Sequence, residues 1–371
     1  LGAALARALR ARLGPGVRFV GVGGPAMARE GLTSAFDPAS LAIVGAVNAL
    51  AAYPHVLRRV REIADLARRE APDVAVLIDA WGFSIRLAKA LRRVDSALPL
   101  VKYVAPQVWA TRPGRARTLA RSVDRLLTIH AFDPPLFEAV GLPTTFVGNP
   151  ALVPGPEAQD ASRFRARVGV SPDQPILLVL PGSRDAEVRR LIRPFGDAVL
   201  RLTESHPDLA VIVAAADQVA AKVAAGVGAW PRPPIVVTGA ADRAAAMRAA
   251  TLALACSGTV TTELAMAGCP MVVAYRLDPL THAVALRLLR TPHVTLFNVA
   301  AGRFIAPERI QDRCTGEVLA RDLEDLLEDP DRRRRQAEDQ TAALEIMRGG
   351  LVDPSGSAAD AVVEVLAGRR R

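Results

Sequence analysis

The sequence predicts an α/β protein built from two doubly wound domains. Short apolar runs alternate with amphipathic or mixed segments along the chain, the pattern of parallel strands joined by helices. At 371 residues the chain exceeds what one hydrophobic core ordinarily fills. A stretch rich in proline and glycine, GNPALVPGPEAQD from Gly148 to Asp160, has no periodicity and reads as the interdomain linker. The expected domains are residues 1–150 and 151–345, with 346–371 a helical segment packing back.

The chain opens on LGAALARALRARLGPG, an amphipathic helix with a Gly/Pro stop. A doubly wound domain would place a strand and a glycine-rich turn before it, so a short preceding piece is expected. Val17–Val22 reads as a strand ending in GVGGP. Gly23 and Gly24 would let backbone approach a ligand, or simply make a tight turn. Leu41–Tyr53 is apolar on nearly every face and runs into Leu57-Arg58-Arg59-Val60-Arg61. Such a segment suits a membrane interface or acyl chains, or a helix buried between domains.

Val74–Ile78 is the next strand, ending in Asp79-Ala80-Trp81. Ligands of open parallel sheets bind beyond the carboxyl ends of strands, where a carboxylate can act as a base or cap the following helix. Leu100–Val104 ends in Ala105-Pro106-Gln107-Val108-Trp109, followed by Arg112 and Arg115. Trp109 beside these arginines would hold a phosphorylated ligand at an apolar boundary, or the arginines form a solvated helix start. Arg125–Ile129 and Thr144–Val147 are further strands.

In the second domain Ile176–Leu180 ends in Pro181-Gly182-Ser183-Arg184, with a helix beginning near Asp185. Leu209–Ala214 and Ile235–Thr238 follow as strands. The organising stretch is Thr251–Arg276, in which strand Thr251–Cys256 breaks at Ser257-Gly258-Thr259. A helix from Val260 to Ala267, closed by Gly268, and a strand Met271–Tyr275 complete the unit. A small-residue turn at a helix N-terminus presents free N–H groups and partial positive charge, a seat for phosphate. Glu263, one turn further on, would accept from a ribose diol. Arg184 adds a guanidinium suited to phosphate at the first turn. Together the two turns suggest a nucleotide. After Tyr275 the pattern turns helical at His282–Leu289. Asn298 and Gln311 either read a base or sugar edge or cap loops.

Composition narrows the partners. Aromatics are 4% of residues, too few for a base-stacking platform. The net charge of +9 is almost all arginine, the only lysines being Lys89, Lys102 and Lys222. It suits phosphate groups or an acidic membrane surface, or records composition bias. Cys256, Cys269 and Cys314 lie in or beside apolar runs without CxxC spacing and read as buried reduced thiols. The five histidines are scattered without metal-type spacing, and no cofactor is expected.

These stretches together resemble lipid-A-disaccharide synthase, a glycosyltransferase family of the GT-B fold. The matching pieces are GVGGPAM (Gly21–Met27), PDVAVLIDA (Pro72–Ala80), KYVAPQVWA with Arg112 and Arg115, FVGNP, LPGSR with Glu187, SGTVTTELAMAGCPMVVAYR and APERIQ, in family order over most of the chain. The resemblance implies two Rossmann-like domains facing a cleft. It implies transfer of 2,3-diacylglucosamine from its UDP donor to 2,3-diacylglucosamine 1-phosphate, inverting the anomeric centre without a metal. The work would be done by a peripheral protein at the cytoplasmic face of the inner membrane, and family habit is compatible with a homodimer. By resemblance Asp79 is the general base on the acceptor's 6-hydroxyl and Arg184 with Ser183 neutralises the departing diphosphate. Ser257, Gly258 and Thr259 seat phosphate, Glu263 the ribose, and Asn298 and Gln311 line the uridine or donor-sugar pocket. The chain departs from the family pattern at Asn149, where many members have His, and at Trp81-Gly82, where Pro-Asp is more usual. The family's Gly-Glu-Ala-Ser-Gly-Asp loop is not found in the sequence. Rival readings are another UDP-GlcNAc-dependent enzyme of this fold (a peptidoglycan-type transferase or a 2-epimerase), a non-catalytic nucleotide-binding membrane-peripheral protein, and a basic nucleic-acid binder.

Overall fold

The structure is a computed structural model that describes residues 1–38, 49–153, 161–278 and 291–369. It divides into two compact units, Leu1–Val153 with Arg348–Arg371, and Pro154–Met347.

In the first unit β1 (Val20–Gly21) pairs only with β2 (Thr33–Ser34). The main sheet is β3 (Ala75–Ile78), β4 (Leu100–Tyr103), β5 (Arg125–Thr128) and β6 (Thr144–Phe146), in that order and all parallel. Side chains alternate across this sheet, as strand geometry dictates. Leu100 and Leu126 face a core with Val60 and Ile63 of helix Ala49–Glu70 and Leu91 of helix Trp81–Val94. Val101, Tyr103 and Leu127 face the other side, where Leu5 and Leu9 of helix Gly2–Leu13 meet Ala358 and Val362 of helix Pro354–Arg369.

The second unit holds β7 (Ile176–Leu180), β8 (Ala210–Ala214), β9 (Ile235–Val237), β10 (Leu252–Cys256), β11 (Met271–Tyr275) and β12 (Glu308–Ile310). Their order is β12-β11-β10-β7-β8-β9, all parallel. β7 and β10 are buried at every residue, which is why they read as unbroken apolar runs. Helices Asp185–Ser205 and Gly316–Glu328 cover one face, packing Val188, Leu191, Phe195, Leu319 and Leu323 on Leu177, Val179 and Leu254. Helix Thr259–Met266 ends at Gly268, at φ +69°, with the Cys269 N–H reaching back to Leu264 O at 3.0 Å.

The structure corrects several expected elements. Of the strand expected at Val17–Val22 only Val20–Gly21 pairs, and not with the main sheet. β12 was not expected, because Glu308 and Arg309 break its apolar pattern. Both are answered inside the fold, Glu308 by Thr295 and Asn298 and Arg309 by Asp322. Of Leu41–Tyr53, residues 41–48 lie outside the described residues; Tyr53 is exposed, with the Arg86 guanidinium 5.2 Å from its ring centre. Residues 154–160 of the expected linker and the helical pattern His282–Leu289 also lie outside them. Cys256, Cys269 and Cys314 are free and buried, and burial pushes the Cys269 thiol up to about 12 and that of Cys314 to about 11. Among the described residues no helix is long and apolar enough to cross a membrane.

Candidate active site

The strand order of the second unit brings its two small-residue turns together. The sheet reverses direction of growth between β7 and β10, which are hydrogen-bonded neighbours with Leu180 opposite Ala255. Such a switch point is where open α/β sheets bind ligands. The turn Pro181–Arg184 leaves the carboxyl end of β7, and Ser257-Gly258-Thr259 leaves that of β10. A Cβ on Gly182 would lie 3.4 Å from the sulfur of Cys256, the last residue of β10, so the first turn lies against the strand end from which the second departs.

The first turn is not empty. Glu187, buried in the first turn of helix Asp185–Ser205, folds back beneath it. Its Oε2 accepts from the main-chain N–H groups of Ser183 at 2.9 Å and Arg184 at 3.1 Å. Its Oε1 accepts from Arg184 NH1 at 2.6 Å. These N–H groups, expected to seat phosphate, are therefore held by an internal carboxylate. The Arg184 side chain is still 77% exposed, so most of its guanidinium faces solvent. Gly182, at φ +112°, leaves room for Glu187, since a Cβ would sit 2.6 Å from the Glu187 Cβ. In the second turn Gly258 and Thr259 are exposed, and the Thr261 hydroxyl donates to Gly258 O at 2.7 Å. Glu263 lies exposed on the same short helix; nearby protein raises its carboxyl above the ordinary range while Arg243 draws it down. Tyr275, at the end of β11, is half-buried, and its phenol is raised by burial and by the charge of Glu187.

In the first unit Asp79 stands one residue past β3 and is exposed. Asp79 and Ala80 are both left-handed, at φ +47° and +45°. The main-chain N–H of Asp79 donates to Tyr103 O at 2.9 Å, and its carbonyl accepts from the Ser84 hydroxyl at 2.6 Å and from Lys102 Nζ. Lys102 is 1% exposed and also donates to Leu77 O at 3.2 Å. Burial lowers its ammonium to about 8, against the pull of Asp79.

Trp109 follows β4 and meets Phe132 edge-on at 5.7 Å, while Phe132 stacks on His130 at 5.1 Å. Thr128 Oγ1, His130 Nδ1, Asp133 Oδ1 and Trp109 Nε1 are buried without a hydrogen-bond partner among the described residues. Burial pushes the His130 imidazole down to about 4 and the Asp133 carboxyl up to about 7. Arg112 is exposed at φ +51°, and Arg115 lies 5.2 Å from the Trp81 ring centre. Burial and the charge of Arg112 both lower Arg115, so an anion at this pair would relieve a repulsion.

The comparisons with known proteins agree with one another. The family model described as lipid-A-disaccharide synthetase matches residues 1–361. The chain belongs to the lipid-A-disaccharide synthase family. The lipid-A-disaccharide synthase of Rhodospirillum centenum is 44% identical, covering 100% of this chain and 92% of its own. That of Paramagnetospirillum magneticum is 41% identical over 99% and 94%. Among solved structures, a UDP-GlcNAc 2-epimerase from Neisseria meningitidis bound to UDP-GlcNAc covers 99% of this chain and 96% of its own at a TM-score of 0.60. An S. aureus MnaA–UDP structure covers 97% and 90% at 0.62. Both are 12% identical and speak to fold alone, which is that of GT-B enzymes. Membership makes the chain a glycosyltransferase of lipid A biosynthesis.

Within this lipid-A-disaccharide synthase family member, some expected ligand residues do other work. Asn298 is 0% exposed and donates to Ala306 O at 3.1 Å and Glu308 Oε1 at 2.8 Å, while Oδ1 accepts from Ile305 N at 2.7 Å. It braces the loop before β12, a correction to its expected place in a uridine or sugar pocket. The same polar side chain serves either role, and only its burial decides. Gln311, at φ +53°, is engaged at both ends of its amide: its Oε1 accepts from Leu277 N at 2.6 Å and its Nε2 donates to Leu277 O at 3.4 Å. Gly23 is required by packing, since a Cβ there would meet the Met27 sulfur at 2.7 Å, whereas a Cβ on Gly24 would meet open space. Lys102, which holds the carbonyl of Asp79, was not among the expected residues; its only signal was a lysine inside an apolar strand.

Among the described residues, His206, Glu324 and Glu328 are the group with metal-type donors, their ligand atoms all within 4.8 Å. His206 caps the far end of the 21-residue helix that begins beside Arg184, about 30 Å away at 1.5 Å per residue. A cavity of about 600 Å³ opens there and contains none of the sequence-derived site residues.

Proposed function

We propose that this chain transfers 2,3-diacylglucosamine from its UDP donor to the 6-hydroxyl of 2,3-diacylglucosamine 1-phosphate. The products are the β-1,6-linked disaccharide 1-phosphate and UDP. Family membership supports the reaction, and the observation that carries its chemistry is the exposed Asp79 at the carboxyl end of β3 in a constrained left-handed turn. No described hydrogen bond occupies its carboxylate. A single-displacement inversion needs one base on the attacking oxygen, and Asp79 takes that proton as the oxygen attacks the anomeric carbon.

The second unit holds the donor at the β7–β10 switch point. Arg184 neutralises charge as the diphosphate departs, with Gly258 and Thr259 contributing helix N-terminal N–H groups and Ser257, whose own N–H donates to Ala274 O at 3.1 Å, contributing its hydroxyl. Glu263 accepts from the ribose. The first unit holds the acceptor, with Arg112 and Arg115 on its 1-phosphate and Trp109 at the apolar boundary. The arginine-rich chain works as a peripheral protein at an anionic membrane surface, the inner membrane's cytoplasmic face.

The test is an assay with both substrates in detergent micelles. Equimolar disaccharide 1-phosphate and UDP are expected, and Asp79→Asn is expected to lower kcat by about 100-fold or more. Hydrolysis of UDP-GlcNAc without any lipid acceptor would overturn the reading.

A further inference from the structure

We infer that Lys102 is a positioning residue for catalysis, holding the Asp79 turn from beneath through the main-chain carbonyl of Asp79. The inference rests on the reading of Asp79 as general base.

The geometry begins with a conflict. Asp79 and Ala80 are consecutive non-glycine residues at positive φ, +47° and +45°. Each such residue costs on the order of 1–3 kcal/mol and persists only where its surroundings over-determine it. Two side chains do so here, both ending on the same carbonyl oxygen of Asp79. Ser84, 3% exposed, donates from the helix that follows. Lys102, 1% exposed, donates from the neighbouring strand β4. The β3–β4 register, with Ile78 opposite Tyr103, sets Lys102 beside the end of β3. The same ammonium reaches Leu77 O at 3.2 Å and Tyr103 O at 3.4 Å, so it bridges the carboxyl ends of both strands.

A buried ammonium is costly, and a stabilising role alone would be better filled by an apolar side chain. What Lys102 supplies that methionine cannot is a fixed carbonyl and a positive charge under an exposed carboxylate. Asp79 already raises the hold of Lys102 on its proton, which marks the two charges as interacting. The ammonium therefore fixes the main chain from which the base projects. A shift of about 1 Å at a reacting group can cost about 100-fold in rate.

The experiment is a double-mutant cycle on the full chain, assayed with UDP-2,3-diacylglucosamine and 2,3-diacylglucosamine 1-phosphate. Lys102→Met is expected to lower kcat about 100-fold, with both KM values within about threefold, because it misplaces the base rather than the substrates. In the Asp79→Asn background the same substitution is expected to change the residual rate by less than about threefold, since its effect passes through Asp79. If Lys102→Met keeps wild-type kcat while Asp79→Asn loses it, the inference fails and the base assignment stands. An equal loss in both backgrounds means general damage to the fold and also overturns it. If Asp79→Asn keeps wild-type kcat, the base assignment fails and the inference falls with it. Should Lys102→Met not fold by circular dichroism, Ser84→Ala replaces it in the cycle. It removes the other donor to the same carbonyl, and a loss of about 3–10-fold in kcat, absent in the Asp79→Asn background, is expected; no loss, or an uncoupled one, overturns the inference.

Discussion

Arg184 and Glu187 are joined twice: the Arg184 side chain donates to Glu187 Oε1 at 2.6 Å, and its main-chain N–H donates to Glu187 Oε2 at 3.1 Å. With Ser183 N on the same oxygen, one buried carboxylate sets the shape of the whole turn. The guanidinium proposed to face the departing diphosphate is thus aimed by a residue that a phosphate would itself repel.

Removing that brace should damage stability and binding together. Glu187→Ala strands two N–H groups at the turn and is expected to cost about 1–3 kcal/mol by denaturant unfolding. UDP affinity should fall with it, since Arg184 loses its aim. Glu187→Gln keeps an acceptor and should cost less on both counts. Calorimetric titration with UDP beside an unfolding curve checks this; unchanged affinity in Glu187→Ala would separate the turn from the nucleotide.

Arg184→Ala should behave differently. The side chain is 77% exposed but donates to the buried Glu187, so unfolding should lose about 0.5–1.5 kcal/mol, less than in Glu187→Ala. A lost charge-assisted contact is worth about 1.5–3 kcal/mol, or about 10–150-fold in the Kd for UDP. Titration with UDP at two salt concentrations would show it. Wild-type affinity in this variant would remove Arg184 from the site.

Asn298→Ala should give the mirror result. Its amide is saturated by loop contacts and by Glu308, so the variant is expected to lose about 2–4 kcal/mol of stability. The KM for the UDP donor should stay at the wild-type value in whatever fraction is folded. A raised KM with an unchanged melting curve would restore the ligand role that its burial argues against.

Asp133 predicts a pH dependence of stability. Burial raises its folded pKa to about 7, above the 3.8 of an ordinary aspartate. The folded chain therefore binds this proton more tightly than the unfolded chain does. The associated stability is fully present below pH 3.8 and is lost as pH rises through about 7. His130, lowered to about 4, contributes with the opposite sign between pH 4 and 6.5, so raw curves mix the two. Comparison with Asp133→Asn isolates the carboxyl. Between about pH 5 and 8 the variant should gain on wild type by about 2–3 kcal/mol. A constant difference across that range would mean that Asp133 is hydrated in solution.

Much of the fold and the turns of the candidate site could be read from residue types alone. The turns after β7 and β10 declared themselves because a buried strand, a small-residue break and a helix start follow in close order. That they leave neighbouring strand ends depended on β10 pairing with β7, a long-range choice with no local signal. β12 was hidden because its charges are satisfied only by partners elsewhere in the fold, such as Asp322 for Arg309. Lys102 was visible as an oddity, but its target became apparent only with the β3–β4 register. Asn298 shows the same limit from the other side: an amide's chemistry does not say whether it faces a ligand or its own loop.

The helix Pro354–Arg369 lays Ala358 and Val362 against Leu5, Leu9 and Val101 and is tied to the first helix by the Arg12–Asp360 ion pair. The first unit is therefore interrupted by the whole of the second. On the ribosome its sheet emerges early but must wait, one face covered only in part by helix Gly2–Leu13, until residues 354–369 have been made. The second unit, contiguous along the chain, can complete its own core in the meantime. The order of folding should thus be the reverse of the order of synthesis, with the unit bearing Asp79 the last to close.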